Sequence, residues 1–232
     1  MNTYGVCDRR KTCSIMKKIG SKPIAAPTLV LMAGLPGVGK STLASKLGLR
    51  LGWVVIDRDN FKDYLLEDAM LKEKIAEDTA GWTSYEVFFR NAYDLLVNQH
   101  QSIILDTSTL RRFIYERARD LARAAGAEFK VILCEVDEKT RQHRLCTRKQ
   151  RLSQAYSRLV PEEAAKLFDE LLPEHTLKVW TKDPIKKCEE KALAYILGPK
   201  LMVSNATSMM PEVSHESSIS WREHLKIFSL RS

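Results

Sequence analysis

Thr28-Leu-Val-Leu-Met-Ala33 runs directly into Gly34-Leu35-Pro36-Gly37-Val38-Gly39-Lys40-Ser41-Thr42. The first six residues are apolar without alternation, the pattern of a strand buried on both faces as in a parallel sheet. The next nine fit the spacing GxxxxGK[ST], and a helical pattern, Lys40–Leu51, opens at their end. Strand, glycine-rich turn and helix in that order form a cradle for phosphate. The glycines let consecutive backbone N–H groups curl around an anion, and the helix points its positive end at the same place. Gly34, Leu35, Pro36, Gly37, Val38, Gly39, Lys40, Ser41 and Thr42 are therefore the expected nucleotide-binding residues. Lys40 supplies a mobile cation for the β- and γ-phosphates, and the Ser41 hydroxyl is placed to ligate Mg²⁺.

Short apolar runs recur at Trp53–Ile56, Ser102–Leu105, Phe129–Val136 and, more weakly, Leu177–Trp180. Helical patterns lie between them: Asn60–Glu67, Thr83–Gln99, Phe113–Ala125 ending at Gly126, and a last helix capped by Asp183 with Pro184 in its first turn. Thr83 and Glu86 read as a capping box. The stripe Tyr85, Phe89, Tyr93, Leu96 reads as core. Alternation of this kind predicts an α/β fold, a P-loop NTPase whose doubly wound parallel five-stranded sheet carries about seven helices on its two faces and a lid segment. The expected domain is residues 24–198. Residues 1–23 read as a flexible basic arm, and residues 199–232 as a tail in which Ser220 and Glu223 can cap a short helix bearing Trp221, Leu225 and Phe228.

The 232-residue chain has a formal charge of +8. Residues 1–27 carry six Lys or Arg against one Asp, and residues 198–232 four against three, which leaves about +2 for the domain itself. Basicity is a property of the tails, which counts against a polynucleotide-binding core. Five scattered cysteines without a CxxC pair argue against a disulfide framework and against a structural zinc site. No apolar run approaches the roughly 20 residues of a membrane span. The expected setting is cytoplasmic, with no membrane partner.

Acids follow two of the strands. Asp57 and Asp59 stand in Ile56-Asp57-Arg58-Asp59-Asn60-Phe61-Lys62, at the carboxyl edge where parallel sheets bind ligands. One can take a proton from an attacking hydroxyl while the other holds Mg²⁺-bound water; capping the next helix is an equal use of either. Asp106 ends the run Ile103-Ile104-Leu105 and is placed to orient the metal. Arg141, Arg144, Arg148 and Arg151 share one face of a helix, which suits a lid that meets transferring phosphate and equally suits a solvated basic face.

The GxPGxGKST, IxRDxF and IxDT segments together resemble the predicted-kinase P-loop family over about residues 28–160. That family includes the kinase domains of polynucleotide kinases, with zeta toxins, chloramphenicol phosphotransferase and gluconate kinase as relatives. The resemblance implies that Asp59 is the general base and that Arg58 and Lys62 lie near the acceptor; Arg111, which departs from the family spacing, is a further expected acceptor-side residue. By their own positions Lys40, Arg144 and Arg148 are the expected catalytic cations and Ser41, Asp106 and Asp57 the expected residues at the metal, although the family pattern often has another residue at Asp57. Lys62 replaces the arginine of the polynucleotide kinase pattern. Ser108 stands where those enzymes have Asn, and Arg111-Arg112 come sooner. The leading expectation is a phosphotransferase using ATP and Mg²⁺ on a hydroxyl acceptor, either a small molecule or a polynucleotide 5′-hydroxyl. A non-catalytic nucleotide-dependent switch or adaptor is the alternative. The absence of an NKxD motif favours ATP over GTP.

Overall fold

The computed structural model describes residues 26–67, 77–148 and 161–198. The two tails and Arg151 lie outside the described residues. The elements run β1 (Thr28–Ala33), α1 (Lys40–Leu51), β2 (Val54–Asp57), α2 (Arg58–Glu67), α3 (Glu77–Tyr93), β3 (Ile103–Asp106), α4 (Arg112–Ala124), β4 (Glu128–Glu135), α5 (Glu138–Thr147), α6 (Pro161–Leu171), β5 (Leu177–Trp180) and α7 (Ile185–Leu197). The strands form one sheet in the order β2-β3-β1-β4-β5, and every pairing is parallel. The expected five-stranded, doubly wound α/β architecture is present.

β1 explains why the opening apolar run does not alternate. Leu29, Leu31 and Ala33 point into a core built with α3, α4 and Phe168 of α6. Val30 and Met32 point the other way, into a core built with α1 and α7. All six β1 residues are buried. A central strand covered by helices on both faces needs apolar side chains at every position. The aromatic stripe is core as expected: Tyr85, Phe89 and Leu96 are buried and Tyr93 packs against them.

Three local expectations are corrected. α3 begins at Glu77, so Thr83 lies inside the helix and cannot cap it. Glu86, the other half of the supposed box, accepts from Arg117 of α4 (2.6 Å). The C-terminal turn of that segment, Asp94–Asn98, is wound as a π-helix. At α7 the cap residue is Pro184, and Asp183 instead pairs with Lys187 (3.0 Å). Gly126 adopts the left-handed conformation expected of a residue that ends a helix (φ 59°). Among the described residues, no helix is long and apolar enough to cross a membrane. Cys134, Cys146 and Cys188 are free thiols.

Two helical glycines test this packing in opposite directions. A Cβ on Gly48 of α1 would stand 2.5 Å from Val55 Cγ2 and 3.1 Å from the Trp53 carbonyl oxygen, whereas one on Gly81 of α3 would meet nothing within 4 Å. Alanine gains about 1 kcal/mol of helix propensity at either place. At Gly48 that gain is outweighed by an overpacking cost of about 1–3 kcal/mol against a stiff β-branched neighbour. Denaturant unfolding is expected to show Gly48→Ala less stable than wild type and Gly81→Ala more stable. Equal shifts of the same sign would contradict the packing described.

Candidate active site

The site is built at the carboxyl edge of the sheet, where the loop after β1 turns into α1. At Gly34 (φ 130°) a Cβ would stand 2.5 Å from the Cys134 carbonyl oxygen, and at Gly37 (φ 87°) 2.9 Å from Leu145 Cγ. Side chains are excluded at both places, once by the neighbouring strand and once by α5 lying over the loop. Lys40, the first residue of α1, is buried and donates through Nζ to the Leu35 carbonyl (2.8 Å), across the loop it would share with a phosphate.

Strand register sets the acids around this cradle. Asp106 pairs in register with Met32 of β1 on one side and with Asp57 of β2 on the other. Asp106 is 3% exposed. Burial pushes its carboxyl up to about 6, against the pull of the Lys40 ammonium and of a hydrogen bond with the Ser41 hydroxyl, while Asp57 and Asp59 push it further up. Lys40 is driven the other way. Burial lowers its pKa, Asp106, Cys134 and Asp59 oppose the drop, and Arg148 adds to it. These two buried charges are thus each pressed toward neutrality.

Asp57 takes the capping part that sequence left open between the two acids. Its Oδ1 accepts the N–H of Asp59 (2.8 Å) at the start of α2. Asp59 is left to pair with Arg58 (2.9 Å). A cavity of about 650 Å³ joins these groups: Lys40, Ser41, Asp57, Arg58, Asp59 and Asp106 all line it, with Arg144 and Arg148 on the α5 side. Two buried polar atoms on residues of its wall, Thr107 Oγ1 and Arg58 Nε, have no hydrogen-bond partner. Such atoms cost free energy unless a polar ligand reaches them.

The arginine stripe is not the continuous helical face that its spacing predicts. α5 ends at Thr147, and Arg148 has extended backbone angles as its C-cap. Arg141 is buried away from the cavity, held by Glu138 (2.7 Å) and donating to the Pro36 carbonyl (3.2 Å). Arg144 donates to the Val38 carbonyl (3.3 Å), to Thr181 Oγ1 (3.0 Å) and to the Thr181 carbonyl (2.8 Å). Both arginines therefore brace the outside of the phosphate loop. Thr181 Oγ1 also donates to the Val38 carbonyl, which ties the loop after β5 into the same brace. Neither Lys62 nor Arg111 lines the cavity. Lys62 is buried in α2, and the Arg111 guanidinium lies over the Trp82 ring (5.6 Å).

The family model AAA_33, described as AAA domain, matches residues 29–171. The chain belongs to this AAA_33 family. No curated protein matches it in sequence. Among solved structures, a candidate kinase of Chloroflexus aurantiacus J-10-fl has a TM-score of 0.56 at 19% identity, covering 74% of this chain and 97% of that one. A tunicamycin resistance protein of Deinococcus radiodurans has a TM-score of 0.52 at 15% identity, covering 73% and 95%. Shikimate kinase of Acinetobacter baumannii, in complex with shikimate, has a TM-score of 0.51 at 17% identity, covering 75% and 96%. At these identities the likeness establishes a P-loop kinase-like fold for this AAA_33 member.

Sequence reading missed Thr181, Lys182 and Asp183, which line the cavity after β5. No motif marks them, and only their place beyond the last strand could have pointed there. It also missed Thr107, whose neighbour Asp106 drew the attention.

The raised Asp106 pKa has a consequence for stability. A carboxyl that ionises near 3.8 when unfolded and near 6 when folded contributes fully below about pH 4, and the contribution is lost as pH rises to about 6. Two units correspond to about 3 kcal/mol. In the nucleotide-free protein, Asp106→Asn is therefore expected to raise Tm relative to wild type, and by more at pH 7.5 than at pH 4.5. A difference that does not change with pH would contradict the burial argument.

Proposed function

We propose that the protein transfers the γ-phosphoryl group of Mg-ATP to a hydroxyl of a small-molecule acceptor. One observation carries the reading: Asp59 lines the same cavity as the Lys40–Ser41 cradle and Asp106, so an acid and a phosphate site face one another across a shared cleft. A carboxylate in that position can take the proton of an attacking acceptor hydroxyl.

The residues fit the groups they would hold. The glycine cradle would take the phosphates on backbone N–H groups, and Lys40 would leave the Leu35 carbonyl to meet the β- and γ-oxygens. Ser41, Asp106 and Asp57 present the hard oxygens that suit Mg²⁺, which keeps several waters and needs few protein ligands. Bound there, Mg²⁺ supplies charge neutralisation for the transferring group. Asp59, oriented by Arg58, would accept the acceptor's proton. Arg148 would meet the phosphoryl oxygens, while Arg144 holds the loop in shape from behind. Arg58, with Lys62 and Arg111 further out, belongs to the acceptor side.

Among acceptors, the domain's near-neutral charge favours a small molecule over a polynucleotide, whose binding rests on several phosphate contacts. The finer resemblance to polynucleotide kinases and chloramphenicol phosphotransferase supports the position of the base more than the identity of the alcohol.

Asp59→Asn tests this reading cleanly, because the α2 cap is supplied by Asp57 and survives the change. Calorimetry is expected to show Mg-ATP affinity close to wild type, while labelled transfer to an alcohol falls by about 10²–10⁴. Transfer at the wild-type rate would remove Asp59 as the base.

A further inference from the structure

The loop that leaves β3 carries two costs within three residues. Thr109 is fully buried and takes a left-handed backbone (φ 55°), which a β-branched residue rarely adopts. Its Oγ1 donates to the Met32 carbonyl of β1 (2.8 Å), so the strained turn is fastened to the sheet. Thr107 is held between that anchor and Asp106, which pairs in register with Met32 and Asp57. Thr107 is 5% exposed and lines the cavity, yet its Oγ1 is buried without a hydrogen-bond partner. Valine has nearly the same shape and would fill the same space without an unpaired hydroxyl. Strain and an unpaired polar group kept together on a cavity wall point to a ligand rather than to stability.

Sheet order says which part of a ligand Thr107 meets. β3 lies between β1, which ends in the phosphate cradle, and β2, which leads to Asp59. Thr107 therefore leaves the sheet between the phosphate site and the proposed base. Arg58 follows Asp57 on β2 as Thr107 follows Asp106 on β3, so the two leave the sheet edge side by side. The Arg58 guanidinium pairs with Asp59 through Nη2 (2.9 Å), and Nε of the same group is also buried without a partner. An N–H donor and a hydroxyl thus stand beside the base, and one turn about χ1 presents the Thr107 hydroxyl to the cavity. A second hydroxyl on the acceptor, on the carbon next to the reacting one, serves both: it accepts from Arg58 and donates to Thr107. A carboxylate or phosphate suits that place less, because Asp57, Asp59 and Asp106 line the same cavity. We infer that Thr107, with Arg58, selects acceptors that carry two neighbouring hydroxyls, and that the substrate is a polyol. This rests on the phosphotransferase reading and narrows its substrate class from alcohols at large to vicinal diols. The covalent step is unchanged: the acceptor oxygen bonds to the γ-phosphorus, the bond to the β-phosphate oxygen breaks, ADP leaves, and the proton passes to Asp59.

The test measures transfer from labelled ATP by the full chain to monosaccharides, cyclitols, nucleosides and simple monohydric alcohols. Each polyol is run beside the analogue in which the hydroxyl next to the reacting one is replaced by hydrogen. The wild type is expected to prefer a polyol over its deoxy analogue by about a hundredfold or more in kcat/KM. Thr107→Val should lower kcat/KM for the polyol by about tenfold to a hundredfold and leave the deoxy analogue near its wild-type value. The preference then collapses, whereas Thr107→Ser, which keeps the hydroxyl, retains it. Mg-ATP affinity should stay near wild type in both variants. In the ligand-free protein, Thr107→Val should have a Tm at or above wild type, because it removes an unpaired buried hydroxyl. A lower Tm would mean that the hydroxyl already has a partner, and would overturn the inference. Equal losses on polyol and deoxy analogue would also overturn it, as would weakened Mg-ATP binding, which would assign Thr107 to the phosphates. A wild type that prefers monohydric alcohols would overturn it while leaving the phosphotransferase intact. Failure of the wild type to label any alcohol would remove the phosphotransferase reading, and this inference with it.

Discussion

The burial of Lys40 beside Asp106 at the end of a strand that must be apolar on both faces is the constraint on which the rest depends. Neither charge is comfortable there: burial lowers the ammonium's proton affinity and raises the carboxylate's. Their attraction offsets only part of that cost. A polyphosphate with its divalent cation would supply what each lacks, an anion for Lys40 and a cation for Asp106. The cradle is thus a site whose charges are arranged for a ligand rather than for stability. The brace of Arg141, Arg144 and Thr181 around the loop shows where the surrounding structure compensates. Three side chains contributed by two distant segments satisfy the carbonyls of Pro36 and Val38, which a glycine-rich turn leaves exposed.

Sheet order then determines which chemistry can meet the cradle. Because β1 sits between β3 and β4, with β2 beyond β3, the carboxyl ends of β1, β3 and β2 stand side by side. Asp106 and Asp57 are adjacent by register, and Asp59 follows two residues after Asp57, in the first turn of α2. The opposite wall comes from α5 and the loop after β5. Nucleotide and acceptor would thus approach from different elements. In the proposed reading the phosphates would be held by the backbone of the loop after β1, and the acceptor by side chains at the start of α2.

Much of this was legible in the sequence where one physical rule acts alone. Thr28–Ala33 has no alternation because it has no solvent face, and the GKST ending has few structural uses other than phosphate. α1 could be read to the residue for the same reason, with a glycine just before its first residue and another just after its last. The reading failed where two local signals competed. Thr83 and Glu86 have the spacing of a capping box, but Glu86 has a better partner in Arg117, and the helix gains more by continuing back to Glu77. The arginine spacing was periodic, yet carbonyls of the phosphate loop, invisible in sequence, took two of the four. Trp82 gave no signal, since it stands just before the predicted helix Thr83–Gln99 and the apolar stripe that begins at Tyr85; the structure leaves it exposed.

In the proposed reaction this cradle and this acid together move a phosphoryl group to an alcohol, rather than bind or hydrolyse a nucleotide. The most direct measurement follows the label of γ-labelled ATP in the presence of Mg²⁺ and a panel of alcohols, with Lys40→Ala as the control. The account predicts stoichiometric appearance of label in a phosphate ester, dependent on Mg²⁺ and absent from the Lys40→Ala protein. Tight ATP binding with label remaining in ATP, or passing only to inorganic phosphate, would contradict it.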